Sequence, residues 1–163
     1  MTMLSLAIAF LMGHAQDATS CEKPSKETAK LIYCSCSETH HGLPVGEIRY
    51  SYYAFIADKP DSIHVEYYED RGSSSEKKEY PATEEDRSQL AKMLEQLNVK
   101  ELNGYNDVEE MCGGTTYRIY MEYSDGSKVN ARWFTHSPKA KAAQAHSSIE
   151  RSLRAIANRQ NKK

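Results

Sequence analysis

The residues best suited to chemistry lie in the stretch YCSCSETHHGLP, where Cys34 and Cys36 are followed by His40 and His41. Thiolates and imidazoles are common zinc ligands, and a thiolate beside an imidazole can act as a nucleophile. The same cysteines can also form disulfides. In an extended strand the two Cα atoms lie about 6.6 Å apart, whereas two thiolates on one zinc lie about 3.8 Å apart. A strand must therefore bend to chelate, and the metal site (Cys34, Cys36, His40, His41) is an alternative only.

The N-terminal segment indicates which compartment these cysteines occupy. An uncharged apolar run, MLSLAIAFLM, precedes Gly13 and Ala15, a pattern typical of a secretory signal peptide. The run is about half as long as a membrane-spanning helix. We therefore predict a signal peptide over 1–15 with cleavage after Ala15, export to the periplasm or outside the cell, and no transmembrane span in the mature chain. A lipid anchor through Cys21 is the alternative.

The cysteine count favours disulfides. The chain has four cysteines, and an even number in an exported protein is typical of a disulfide framework. A ring joining Cys34 directly to Cys36 would be strained. We therefore expect Cys112 to bond to one of these two and Cys21 to the other.

Evidence for catalysis is weak. Cys112 precedes two glycines, and His136 lies downstream, so a thiol-dependent enzyme is conceivable. However, Gly113 and Gly114 are adequately explained as a turn before a strand. The sequence has no phosphate-binding loop, zinc-protease helix or nucleophile elbow. We predict no catalytic residue, no cofactor and a non-enzymatic role.

Composition and length indicate one domain. The formal net charge of 163 residues is −2, which gives no strong field for nucleic acid. We predict a flexible segment over 16–28, a single α+β domain over 29–158 and a disordered basic tail over 159–163. The sequence does not indicate an oligomeric state.

Hydrophobic periodicity defines the elements of this domain. Alternation predicts strands and a period near 3.6 predicts helices. The second helix has Ser137 as N-cap and Pro138 in its first turn, and the first has a capping box of Thr83 and Asp86. The predicted order is β-β-β-β-α-β-β-α, with strands over 30–37, 46–57, 62–70, 77–81, 115–123 and 128–134 and the first helix over 83–98. This order predicts a single antiparallel sheet of five to six strands with two helices packed on one face.

Three stretches carry a resemblance. EMCGGTTYRIYMEYSDGSKVNARWFTHSPKAKAAQAHSSIERSLRAI, together with GLPVGEIRYSYYAF and SQLAKMLEQLN, resembles a recurrent pattern in uncharacterised exported bacterial α+β domains. In that pattern a glycine-rich turn precedes a hairpin with the turn SDG, and a helix that starts with proline closes the domain. The resemblance implies the fold and export, and it assigns no functional residue.

The sheet face without helices is the predicted binding surface. Alternation along the second strand predicts Tyr50, Tyr52 and Ile56 in the core. Aromatic and arginine side chains on the other face are the types that dominate binding hot spots. We therefore predict an exported small binding domain for a protein or glycan partner, and a protein inhibitor of an enzyme is one concrete form of such a domain. Its predicted binding residues are Arg49, Tyr53, Phe55, Tyr68, Arg118, Tyr120, Arg132 and Phe134.

Overall fold

The computed structural model describes residues 29–42, 49–59, 61–108, 113–135 and 139–159. The predicted signal peptide and flexible segment lie outside these residues, as do Cys21, Cys112 and His136, so the predictions made for them stay predictions. The predicted helix start at Ser137 and Pro138 also lies outside the described residues.

A seven-stranded sheet forms the body of the domain, in the order β4-β3-β2-β1-β6-β7-β5. Neighbouring strands are antiparallel except for β5, which pairs in parallel with β7. The prediction of an α+β fold is confirmed, and an antiparallel sheet of five to six strands is only roughly right, because the sheet is mixed and has seven strands. The two-residue β5 gave no periodic signal because it is too short to alternate. The strands are β1 Leu31–His41, β2 Arg49–Lys59, β3 Ser62–Asp70, β4 Ser75–Pro81, β5 Asn106–Asp107, β6 Gly114–Tyr123 and β7 Lys128–Phe134.

Two α-helices complete the architecture, α1 (Glu84–Gln96) and α2 (Ala140–Arg159), with a short 3-10 helix at Val99–Leu102. The predicted capping box is confirmed, because the Thr83 side chain accepts from the Asp86 backbone amide while the Asp86 carboxylate accepts from that of Thr83. The second carboxylate oxygen of Asp86 pairs with Arg159 at 2.6 Å, which ties the end of α2 to the start of α1. No helix within the described residues is long and apolar enough to cross a bilayer.

The core lies between the helices and one face of the sheet, called here the helix face. Leu90 and Leu94 from α1 and Ile149 and Leu153 from α2 pack there in one cluster with the sheet side chains. The central sheet contributions are Cys34, Cys36, Phe55, Val65, Ile119, Met121, Val129, Ala131 and Trp133. In the central part of β6 and β7 the odd-numbered residues face the core, as the alternation of apolar and polar residues in both strands predicts.

The faces of β2 are the reverse of those predicted. Phe55 is fully buried between its cross-strand partners Cys34 and Val65. Tyr53 lies under the guanidinium of Arg154, a residue of α2, at 5.2 Å from its ring centre. Both faces of β2 carry aromatic or apolar residues, so its own pattern does not choose between them. Pairing with β1 and β3 makes the choice, because a shift of one residue exchanges the two faces.

Candidate functional site

The cysteine–histidine motif is dispersed by the strand that contains it. All four residues belong to β1, where alternation puts Cys34, Cys36 and His40 on one face and His41 on the other, with His40 four residues along the strand from Cys36. Cys34 and Cys36 are buried on the helix face. His40 contacts the Thr115 hydroxyl at 2.9 Å, and His41 contacts the Thr116 hydroxyl at 3.1 Å. Because His40 and His41 are adjacent in one strand, their side chains lie on opposite faces, and the structure does not assemble the alternative metal site.

The two described cysteines are free thiols, so the predicted disulfides of Cys34 and Cys36 are not seen; their expected partners lie outside the described residues. Burial raises the pKa of the Cys34 thiol to about 12. Burial is the largest cause that raises the pKa of Cys36, and the electrostatic effect of the nearby Cys34 raises it further. Both sulfurs are therefore protonated near neutral pH, and they act as small apolar side chains of the core.

Another histidine and two carboxylates come close together on the helix face, and together they can offer ligands to a metal ion: Glu38, His146 and Glu150. However, Glu150 is paired with Arg154 at 2.7 Å, and Glu38 lies 3.6 Å from His40. Burial, the largest effect, lowers the pKa of His146 despite the two carboxylates. Side chains of the protein itself thus stand beside both acids, and no observation calls for a bound cation.

A second such group lies on the other side of the sheet and consists of His64, Glu66 and Glu79. Lys77 contacts Glu66 at 2.7 Å and Glu79 at 3.2 Å. Burial acts to raise the pKa of Glu66, but hydrogen bonds from Lys77 and Tyr52 outweigh it, so the pKa lies below its usual value. Glu66 is therefore ionised near neutral pH, and its charge is compensated internally.

The sheet face opposite the helices is called here the open face, since no described helix or loop segment packs across its centre. Of the predicted binding residues, Tyr68, Arg118, Tyr120 and Arg132 lie on it. Tyr53 and Phe55 do not, because β2 is turned over. By the same alternation, Arg49 lies on the side of Tyr53.

Phe134 also lies on the open face, but only 5 % of it is exposed. Its ring lies beside that of His41, with ring centres 6.4 Å apart. A Cβ atom at Gly114 would come within 2.4 Å of the ring. Phe134 therefore packs against the end of the sheet, and it is not available to a partner.

One row of cross-strand partners explains the shape of the open face. From β7 to β3 it reads Arg132, Arg118, Ser37, Tyr52 and Tyr68. The short serine in the central strand stands between long side chains on both sides. The neighbouring rows differ, because Ser35 lies between Ala54 and Tyr120, and Thr39 lies between Tyr50 and Thr116. At Ser37, β1 therefore forms the floor of a short trough, with the two arginines on one side and the two tyrosines on the other.

The tyrosine wall consists of Tyr50, Tyr52 and Tyr68, all half-buried. Ring centres are 5.8 Å apart for Tyr50 and Tyr52, 6.2 Å for Tyr50 and Tyr68, and 5.4 Å for Tyr52 and Tyr68. These separations are within the range of favourable aromatic pairs. Mutual packing holds the rings in place while leaving part of each exposed. Sequence reasoning missed Tyr50 and Tyr52 because it assigned them to the core.

The arginine wall borders a groove of about 530 Å³, called here the arginine groove. Hydroxyl, amide and guanidinium groups dominate its lining, and none of the described lining residues is acidic. Sequence reasoning found the two arginines but missed the small polar residues, because serine and threonine in a strand carry no distinctive pattern. The lining consists of Ser37, Thr39, Tyr50, residues 104–106, Thr116, Arg118, Asn130 and Arg132.

The two arginines of the groove are direct cross-strand partners. Arg118 donates through Nε to the Asn130 side-chain oxygen at 3.0 Å, and its guanidinium lies 5.1 Å from the centre of the Tyr120 ring. Arg132 makes no side-chain hydrogen bond or ion pair with any described residue, and no described carboxylate pairs with Arg118. Like charges directly opposite one another destabilise a sheet, so this pair has a cost that the described residues do not offset.

Comparison with known proteins assigns no family: no family model matches the chain, and no curated protein matches it in sequence.

Proposed function

We propose that this protein is a binding domain that takes up a glycan on its open face. The observation that carries the proposal is the trough of β1, with a polar floor, a wall of packed tyrosines and a wall of hydrogen-bond donors. Sugar rings have apolar C–H faces that stack on aromatic rings and hydroxyl groups that bond to amides and guanidinium groups. A volume of about 530 Å³ is also within the range of small-ligand sites.

The chemistry of the face favours a glycan over a protein partner. The core of a protein interface is apolar and contains large anchoring side chains. On the open face Phe134 is buried, and Ile56 is half-buried like the tyrosines. Most of the side chains that line the trough and the arginine groove are tyrosine, serine, threonine, asparagine and arginine. A rigid sheet that presents these groups also loses little conformational entropy on binding.

An NMR titration of the labelled protein with a panel of soluble oligosaccharides tests the proposal. We expect amide shifts concentrated in β1, β2 and β6, and weaker binding after Tyr68→Ala. Tyr67→Ala is the matched control, because Tyr67 is also half-buried in β3 but faces the helices, with its ring 4.8 Å from that of Tyr53. The proposal is wrong if no oligosaccharide binds, or if Tyr67→Ala weakens binding as much as Tyr68→Ala.

The cysteine–histidine metal site is not carried forward as a second function. Alternation along β1 puts His41 on the face opposite Cys34, Cys36 and His40. The nearby carboxylates of Glu38 and Glu150 lie beside His40 and Arg154. A protein partner is not proposed separately, because polar side chains dominate the described lining of the trough and the arginine groove.

A further inference from the structure

Arg118 and Arg132 form the strongest unexplained feature of the open face. Both are exposed, and both line the arginine groove. From the register, their Cβ atoms are expected about 4.5 to 5.5 Å apart. Elsewhere on this face, cations adjoin carboxylates: Lys128 contacts Glu122 at 2.8 Å and Lys77 contacts Glu66 at 2.7 Å. The arginine pair is the exception among these described residues.

We infer that the arginine groove binds an oxyanion, and that its natural source is the carboxylate of an acidic sugar. This inference rests on the proposed function and makes it more specific. A guanidinium group matches a carboxylate with two parallel N–H···O bonds. Two guanidinium groups side by side offer several such donors, and a bound anion removes the repulsion between them.

The groove is also pre-arranged for an anion. The bond from Arg118 Nε to Asn130 and the contact with the Tyr120 ring fix the Arg118 side chain, so its terminal nitrogens remain as donors. Thr39 and Ser37 on the floor add hydroxyl donors within the same groove. None of the described lining residues is acidic, so none of them presents a repulsive charge to an anion.

The neighbouring tyrosine wall favours a sugar acid over a free inorganic ion. Tyr50 lines the groove and also packs against Tyr52 and Tyr68. A carboxylate held by the arginines would therefore place its sugar ring over the serine and threonine floor, with the next sugar ring towards the tyrosines. An isolated ion would use the arginines and leave the tyrosine wall unoccupied.

The experiment compares a short oligogalacturonate with the same oligosaccharide methyl-esterified at each carboxylate, by calorimetry and NMR at low salt. We expect the acidic form to bind more tightly than the ester, and 0.5 M salt to weaken only the acidic form. Arg132→Ala should reduce the affinity for the acidic form by about 10- to 100-fold, since hydrogen bonds to charged groups have this magnitude. It should weaken the binding of the ester less, by about 2- to 10-fold, because the ester offers only neutral acceptors to the arginine.

Lys128→Ala is the matched control, because Lys128 is a cation on the same strand and face but is already paired with Glu122. It should change affinity by less than about 2-fold, as expected for a distant surface charge. Arg132→Ala should also keep or slightly raise the melting temperature, because it removes the repulsion with Arg118.

The possible outcomes separate the two proposals. Equal binding of acid and ester, with no effect of Arg132→Ala, overturns the oxyanion inference and leaves the glycan proposal in place. If neither form binds and no neutral oligosaccharide binds, the glycan proposal is overturned as well. Inorganic sulfate and a sulfated oligosaccharide form a further arm: tighter binding of these than of the uronate would overturn the assignment of a carboxylate as the natural anion.

Discussion

Replacing Phe55 or its neighbour Ile56 by alanine tests the orientation of β2, on which the open face depends. Phe55 is fully buried, and its cross-strand partners Cys34 and Val65 are also fully buried. A cavity there cannot be filled by movement of a surface side chain. The cost of Phe55→Ala should therefore be about 4 kcal/mol, in the middle of the usual range for such substitutions.

Ile56 lies on the open face and is half-buried. Ile56→Ala removes only part of the transfer free energy of a buried isoleucine, so its expected cost is about 1 kcal/mol. For a domain of this size, 1 kcal/mol corresponds to about 4 °C in melting temperature. The two variants should therefore differ by about 12 °C.

Urea unfolding followed by tryptophan fluorescence measures the difference in the free energy of unfolding, and thermal unfolding measures the difference in melting temperature. The chain has one tryptophan, and Trp133 is 1 % exposed in the core, so its emission reports global unfolding. Phe55→Leu provides a variant that keeps most of the volume, with an expected cost of about 1 to 2 kcal/mol. If Ile56→Ala costs more than Phe55→Ala, the faces of β2 are assigned wrongly, and the trough with its tyrosine wall does not exist.

Three further predictions concern stability and reactivity. Burial acts to raise the pKa of Asp86, but hydrogen bonds from Arg159 and Thr83 outweigh it and leave the pKa below its usual value. Asp86→Asn should therefore lower the free energy of unfolding by about 1 kcal/mol near neutral pH. This loss should be complete above about pH 4 and should disappear at lower pH, where the native carboxylate becomes protonated. A cost of Asp86→Asn that persists at pH 2 would contradict this. Gly114 has φ +125°, and an added Cβ would lie 2.4 Å from the Phe134 ring. Gly114→Ala should therefore lower the free energy of unfolding by at least about 1 to 3 kcal/mol in the same assay. An unchanged free energy of unfolding would show that Phe134 does not pack tightly against Gly114. Cys34 and Cys36 should resist iodoacetamide in the native protein and react in urea, because both are buried and burial raises their pKa; mass spectrometry showing rapid native labelling of either would refute their burial.

The elements that the sequence predicted well are those with one apolar face. Leu90 and Leu94 mark the buried stripe of α1, and Thr83 with Asp86 marks its start. In β7, Val129, Ala131 and Trp133 alternate with polar residues, so the core face is unambiguous. For such segments the local pattern alone identifies the buried side, because only one face can be removed from water.

Local sequence left the remaining features undetermined. The sequence of β2 alone does not show whether Tyr52 or Tyr53 faces the core, because both are aromatic. Pairing with β1 and β3 determines which of them does. The length of β1 likewise comes from pairing, since it extends through His40 and His41 beside β6, beyond the predicted strand end at residue 37.

The sequence by itself determined the α+β class, the helix start at Thr83 and the buried faces of β6 and β7, because each is a local consequence of period or capping. Tertiary structure alone decided that Ser37 lies between Arg118 and Tyr52. These residues are distant along the chain, and only strand register makes them neighbours. The polar trough and the cross-strand pair of Arg118 and Arg132 are thus produced by pairing between strands. No single segment of the sequence encodes them.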